Sequence, residues 1–113
     1  MKLEPGDLVL VPFPFTDLSA RKTRPALVLS RTDYNASSRD VILCGVTSNL
    51  TNASHSVLLE GAGLASGRLA APSRIKVDKV VTLQQSIVRK RFARVRPAVL
   101  EQVLREFRAL FPS

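Results

Sequence analysis

A chain of 113 residues with 17 Lys and Arg against 9 Asp and Glu carries a net charge of +8 and is 45% hydrophobic; that size suits one domain with a real core, and that charge favours polyanionic partners, nucleic acid before acidic membranes or proteins. The single cysteine, Cys44, excludes an intramolecular disulfide and a Cys-based zinc site, and within the apolar run 41–46 it reads as a small core hydrophobe. No apolar stretch approaches the roughly 20 residues of a membrane span, and the polar opening Met1-Lys2-Leu3-Glu4 is unlike a signal peptide, so a cytoplasmic protein without membrane contact is expected.

In chain order, Pro5-Gly6-Asp7 reads as a turn and Leu8-Val9-Leu10-Val11 as a strand buried on both faces, since four apolar residues follow without alternation. Residues 13–24 pass from aromatic to polar and basic, and Pro12 and Pro14 with an Asp-Leu-Ser-Ala turn make them a loop. A second strand is expected over 25–30, a polar turn over 33–40, a third strand over 41–47 and a fourth, short one over 57–59. Gly61, Gly63 and Gly67 punctuate the next loop. Ile75-Lys76-Val77 alternates as a half-exposed strand that 80–83 continue. Five or six short strands so closely spaced favour a barrel or sandwich over a parallel sheet.

Residues 84–96 carry Arg89, Lys90, Arg91, Arg94 and Arg96 without a decisive periodicity. From Pro97 the pattern is unambiguous. Val99, Leu100, Val103, Leu104, Phe107, Leu110 and Phe111 fall on one helical face, with proline at the first helical position. Glu101 near the start and Arg105 and Arg108 near the end suit the helix dipole, and Glu101 and Arg105 form an i,i+4 pair. There are no internal repeats, and residues 1–113 read as a single domain.

The chain lacks a phosphate-binding glycine loop, a nucleophile elbow and a His-Glu-x-x-His helix. Its one histidine, His55, lies in a polar loop, which excludes a two-histidine ribonuclease mechanism. What remains is a basic, hydroxyl-rich set at strand ends. Arg24 enters the second strand directly before Pro25, which biases it towards extended backbone and gives its side chain a defined direction. Thr47 and Ser48 close the third strand. A guanidinium offers a planar fork of donors to a phosphate, and a hydroxyl can complete the cradle. By composition and spacing alone Arg24 is as well read as a surface cation, and Thr47 as a β-former closing its strand.

Gly6-Asp7-Leu8-Val9-Leu10-Val11, then Arg24-Pro25-Ala26-Leu27-Val28-Leu29-Ser30, then Val46-Thr47-Ser48, with Thr47 23 residues beyond Arg24, resembles the PemK/MazF family of toxin endoribonucleases. The likeness is strongest over 6–48 and extends through 73–78. Each motif alone is weak; their order and spacing together are specific. The resemblance implies a mainly β fold, a small SH3-like barrel of the PemK/MazF/CcdB type with a C-terminal helix, assembled as a homodimer. It implies the toxin of a type II toxin–antitoxin system, inhibited by a cognate acidic antitoxin, that cleaves single-stranded RNA without metal or other cofactor. The substrate's 2′-hydroxyl would attack phosphorus, leaving a 2′,3′-cyclic phosphate and a 5′-hydroxyl. Arg24 and Thr47 match the family's catalytic arginine and threonine; Ser48 and Ser73 fall at positions implied to touch RNA, and Arg21, Lys22 and Asn49 lie in the variable loops 16–23 and 49–56 where specificity is expected. Some members use a further Arg and Asp on a later strand for acid–base work; the matching positions here hold Ala70 and Pro72, so the general base is unassigned. Two other functions fit the same fold: a nucleic-acid-binding regulator, and a protein-binding toxin like the gyrase poisons.

Overall fold

The computed structural model describes residues 1–13, 23–51 and 53–113. Their sheet has seven antiparallel strands, β1 (Asp7–Pro12), β2 (Thr23–Val28), β3 (Asp40–Thr47), β4 (Ser56–Leu59), β5 (Leu64–Gly67), β6 (Ser73–Gln84) and β7 (Lys90–Val95), in the order β4-β6-β3-β2-β1-β7-β5. Helix α1 (Thr32–Ser37) joins β2 to β3, and α2 (Pro97–Arg108) closes the chain. The sheet curls into a half-barrel with β4 and β5 at its edges.

Alternation along the strands sends side chains to two faces, and each face has its own core. On one, Leu8, Leu27, Cys44, Val46, Val57, Leu59, Ile75, Val77 and Val95 pack under α2 through Val103. On the other, Leu3, Val9, Val11, Phe13, Ala26, Val28, Val41 and Leu43 form a smaller cluster. The unalternating apolar runs of β1 to β3 are thus explained: both faces of these strands are covered. Burial pushes the Cys44 thiol up to about 12, which keeps it protonated and unreactive.

Gly6 starts β1 at φ +94°, a conformation that costs glycine little. Its N–H reaches the Val28 carbonyl at 2.9 Å and its carbonyl accepts from Val95 N–H at 3.0 Å, tying β1 to both neighbours. Beside it Asp7 is wholly buried, its Oδ1 2.9 Å from Arg94 and its Oδ2 3.5 Å from Arg91. Arg94 also meets Glu4 at 2.6 Å. The basic residues of β7 are therefore partly structural, and their strand becomes legible only through acids some ninety positions earlier.

Four expectations change. The polar turn 33–40 contains α1, because Asn35 is drawn inward: its Nδ2 donates to the carbonyls of Leu3 (2.9 Å) and Ser30 (3.0 Å), and its Oδ1 accepts from Ser30 Oγ at 2.5 Å. The glycine-punctuated loop contains β5, an edge strand with only Leu64 buried. Ile75, Lys76 and Val77 are buried rather than half-exposed, since this part of β6 lies between β4 and β3; the half-exposed alternation begins at Asp78. Helix α2 stops at Arg108, leaving Leu110 and Phe111 outside it, with the Phe111 ring edge-on to Phe107 at 5.1 Å. The Glu101–Arg105 pair is present at 3.6 Å on the solvent side.

Candidate nucleic-acid interface

Arg24 stands second in β2, opposite Val11 of β1, half-buried. Towards β3 the register pairs Leu27 with Cys44 and Ala26 with Gly45. There the ladder stops, next to a proline that has no N–H to offer. Continued by two residues, the same register sets Arg24 opposite Thr47, the last residue of β3. Thr47 is in turn paired with Arg74 of β6, after a bulge between Cys44 and Val46. Directly opposed residues of antiparallel strands project to the same face. Arg24, Thr47 and Arg74 thus form a row across three strands at one end of the sheet.

Thr47 is oriented by its own loop. The Asn49 N–H donates to Thr47 Oγ1 at 3.1 Å, which occupies a lone pair and leaves the hydroxyl proton to point elsewhere. Asn49 Oδ1 accepts from the N–H (3.0 Å) and the hydroxyl (2.6 Å) of Thr51. Ser48 and Asn49 are exposed just beyond the strand. Arg74 reaches across to the Leu50 carbonyl through Nε at 2.9 Å and to Ser56 Oγ through Nη1 at 3.4 Å. Both partners are neutral oxygens, one on the loop after β3 and one on β4.

Ser73 begins β6 on the opposite face from Arg74; it is 6% exposed, and its hydroxyl donates to the Ala71 carbonyl at 3.0 Å. Arg21 and Lys22 lie outside the described residues, as does most of the 16–23 loop. Ala70 and Pro72 fall in the connection before β6 rather than on a strand. The arginine that β6 does supply is Arg74, which sequence reasoning missed. The alternation Arg74-Ile75-Lys76 was its only signal, two cations sharing one face of a strand. At the far side of β1, Lys90 of β7 pairs with Leu10 and Arg89 donates its N–H to the Leu10 carbonyl, bringing two exposed cations to the same end of the sheet. Arg91 and Arg94, further along β7, face Asp7 and Glu4 instead.

The family model described as the PemK-like, MazF-like toxin of type II toxin–antitoxin systems matches residues 4–111. The chain belongs to this family. In sequence, no curated protein matches it. In structure, a chain of the MazE–MazF crystal structure from Deinococcus radiodurans is 25% identical with a TM-score of 0.76, over 97% of this chain and 95% of that one. A MazF structure from the same organism is 26% identical with a TM-score of 0.77, over 97% and 96%. An endoribonuclease in complex with its cognate antitoxin from a mycobacterial species is 18% identical with a TM-score of 0.77 over 98% of both chains, a likeness of fold. The half-barrel with its C-terminal helix is thus the toxin fold that the opening motifs anticipated. No helix among the described residues is long and apolar enough to cross a membrane.

Proposed function

We propose that this PemK/MazF-family toxin is an endoribonuclease that cuts single-stranded RNA without a metal ion, with Arg24 and Thr47 as its catalytic residues. The observation that carries the reading is the row Arg24–Thr47–Arg74, which puts a hydroxyl-bearing residue between two arginines at the end of the sheet where the loops leave. The substrate's 2′-oxygen forms a bond to phosphorus as the bond to the 5′-oxygen breaks, giving a 2′,3′-cyclic phosphate and a 5′-hydroxyl. Negative charge grows on the non-bridging oxygens along that path, and preorganised cations stabilise the transition state more than the ground state. Arg24 serves that purpose as a guanidinium cation and not as the base. Thr47, one lone pair engaged by the Asn49 N–H, donates a hydrogen bond from its hydroxyl to a phosphoryl oxygen. Arg74 adds the second cation. Ser48 and Asn49, exposed beside this row, contact the RNA, with Arg21 and Lys22 following its backbone; Ser73 is the buried start of the strand that presents Arg74. Solvent takes the 2′-hydroxyl proton and returns one to the departing 5′-oxygen, so the transesterification consumes no net proton.

Two structural neighbours bear on the partners: one is an endoribonuclease with its cognate antitoxin, the other comes from a MazE–MazF complex. We read this chain likewise as a cytoplasmic homodimer neutralised by a small acidic antitoxin, whose negative charge answers the +8 of the toxin. The test is incubation of purified protein with single-stranded RNA in EDTA. Discrete fragments ending in cyclic phosphate are expected from the wild type, none from Arg24→Ala, and fewer from Thr47→Ala. Retardation of RNA without cleavage would make the protein a binding module, and cleavage by folded Arg24→Ala at the wild-type rate would remove Arg24 from the mechanism.

A further inference from the structure

Two cations of β6 spend their donors on one loop. Besides the bonds of Arg74 to Leu50 and Ser56, Lys76 sends its ammonium to the Ser54 carbonyl at 2.5 Å. Lys76 is only 4% exposed, and the nearest carboxylate in an ion pair with it, Asp78, stands 4.0 Å away. The backbone N–H of Val77 adds a bond to the His55 carbonyl at 3.0 Å, where the loop turns through a left-handed residue at φ 50°. At the other end the loop is held by Thr47, Asn49 and Thr51 among themselves, and Ser56 Oγ donates to the Ala53 carbonyl at 2.7 Å. The described part of the β3–β4 connection, 48–51 and 53–55, is thus pinned to β6 at Leu50, Ser54 and His55.

Burying an ammonium is costly, and an apolar residue of similar length at position 76 would serve stability as well or better. Its neighbours Ile75 and Val77 fill the opposite face of the strand with apolar side chains. What the lysine provides instead is a directional bond to one particular carbonyl, and with it the height of the loop over the row Arg24–Thr47–Arg74. We propose that Lys76 is a positioning residue that sets the toxin's RNA sequence selectivity by fixing the β3–β4 connection, which Arg74 also grips at Leu50, beside the scissile phosphate. The proposal rests on the ribonuclease reading above for what the loop reads, and on the β6 contacts for how it is held. Lys76 touches neither the substrate nor the reacting atoms in this account; it acts through the backbone of Ser54.

The experiment compares wild type, Lys76→Met and Asp78→Asn on RNAs randomised around the cut site, and then measures kcat and KM on the preferred RNA and its single-base variants. In Lys76→Met the discrimination against single-base variants should fall about tenfold, the scale of one misread base, with KM rising more than kcat falls. Asp78→Asn, whose carboxylate only balances the ammonium, should shift selectivity a few-fold in the same direction. Amide exchange at Asn49 and Thr51 should quicken in Lys76→Met while exchange in β1 to β3 stays as in wild type. A merely structural lysine would lower activity on every RNA alike and leave discrimination unchanged; that result in either folded variant overturns the proposal, and Asp78→Asn carries the test alone if Lys76→Met does not fold. Wild-type protein that binds RNA without cutting it refutes only the nuclease reading, and the same loss of discrimination is then expected in binding. Wild-type protein that ignores RNA overturns both.

Discussion

Replacing Gly67 by alanine tests whether the sheet is held at its β5 edge as the geometry requires. Gly67 has φ +81°, and a Cβ built there would lie 2.3 Å from the Phe92 carbonyl oxygen, 2.5 Å from Ala93 Cα and 2.7 Å from Ala93 Cβ. Two of these atoms are backbone, so no rotamer change relieves them, and the Phe92 carbonyl would have to retreat by about 0.7 Å within a close-packed strand pair. The left-handed backbone alone costs an alanine about 1–2 kcal/mol. Prising β5 from β7 further uncovers Leu64, whose full burial is worth about 1.5–3 kcal/mol. A loss of about 3 kcal/mol is expected, lowering the melting temperature by roughly 10–20 °C in a domain of this size. Gly61→Ala is the control: nothing lies within 4 Å of its added Cβ and its φ is not positive, so its effect should stay within about 0.5 kcal/mol. With no tryptophan in the chain, urea and thermal unfolding followed by far-ultraviolet circular dichroism are the appropriate assays. Equal stability of Gly67→Ala and Gly61→Ala would refute the close approach of β5 to β7.

Binding of single-stranded RNA should weaken steeply with salt, because basic side chains release counterions from the phosphates; equal affinity at low and high salt would argue against a cationic track over Arg24, Arg74 and Lys90. Light scattering at micromolar concentration should give a dimer, and a monomer there would overturn the proposed homodimer. The hydrogen bond from Arg94 holds the Glu4 carboxyl below the usual carboxylate range; a depressed folded pKa contributes stability that is complete above the unfolded value and is lost as pH falls through the folded one. Wild type should therefore lose more stability than Glu4→Gln between pH 5 and lower pH in urea titrations, by a small margin that high salt erases, since the pair is at the surface.

How much of this was legible beforehand depends on where each element's reasons lie. Strands β1 to β3 announce themselves because their apolar runs answer to two cores, and α2 because its apolar face repeats at helical spacing. Strand β5 does not: Leu64 is its one buried side chain, and it exists because β7 offers it an edge. Strand β7 reads locally as a run of cations, and its arginines are explained by Asp7 and Glu4 at the other end of the chain. Helix α1 is a polar hexapeptide whose folding is decided by Asn35 reaching Leu3 and Ser30. In each case the missing information is a partner distant in sequence, which local periodicity does not contain.

The candidate site divides along the same line. Arg24 and Thr47 were visible because each sits at the end of a strand whose pattern changes abruptly from apolar to polar, and motif order joined them. Arg74 was not, because its place beside Thr47 depends on the bulge between Cys44 and Val46, which moves the β3–β6 register and brings a residue 27 positions later into line. A one-residue slip there would turn Arg74 away from the row and bring Ser73 or Ile75 to it, since side chains alternate strictly across a strand. The bulge therefore does for the site what no single side chain does. It lets a strand that buries Ile75 and Val77 on one face present Arg74 and Lys76 on the other, one in line with Thr47 and one bonded to the Ser54 carbonyl of the β3–β4 connection. On the proposed reading, a change at the bulge should therefore disturb cleavage and selectivity together, whereas a change at Lys76 should disturb only selectivity.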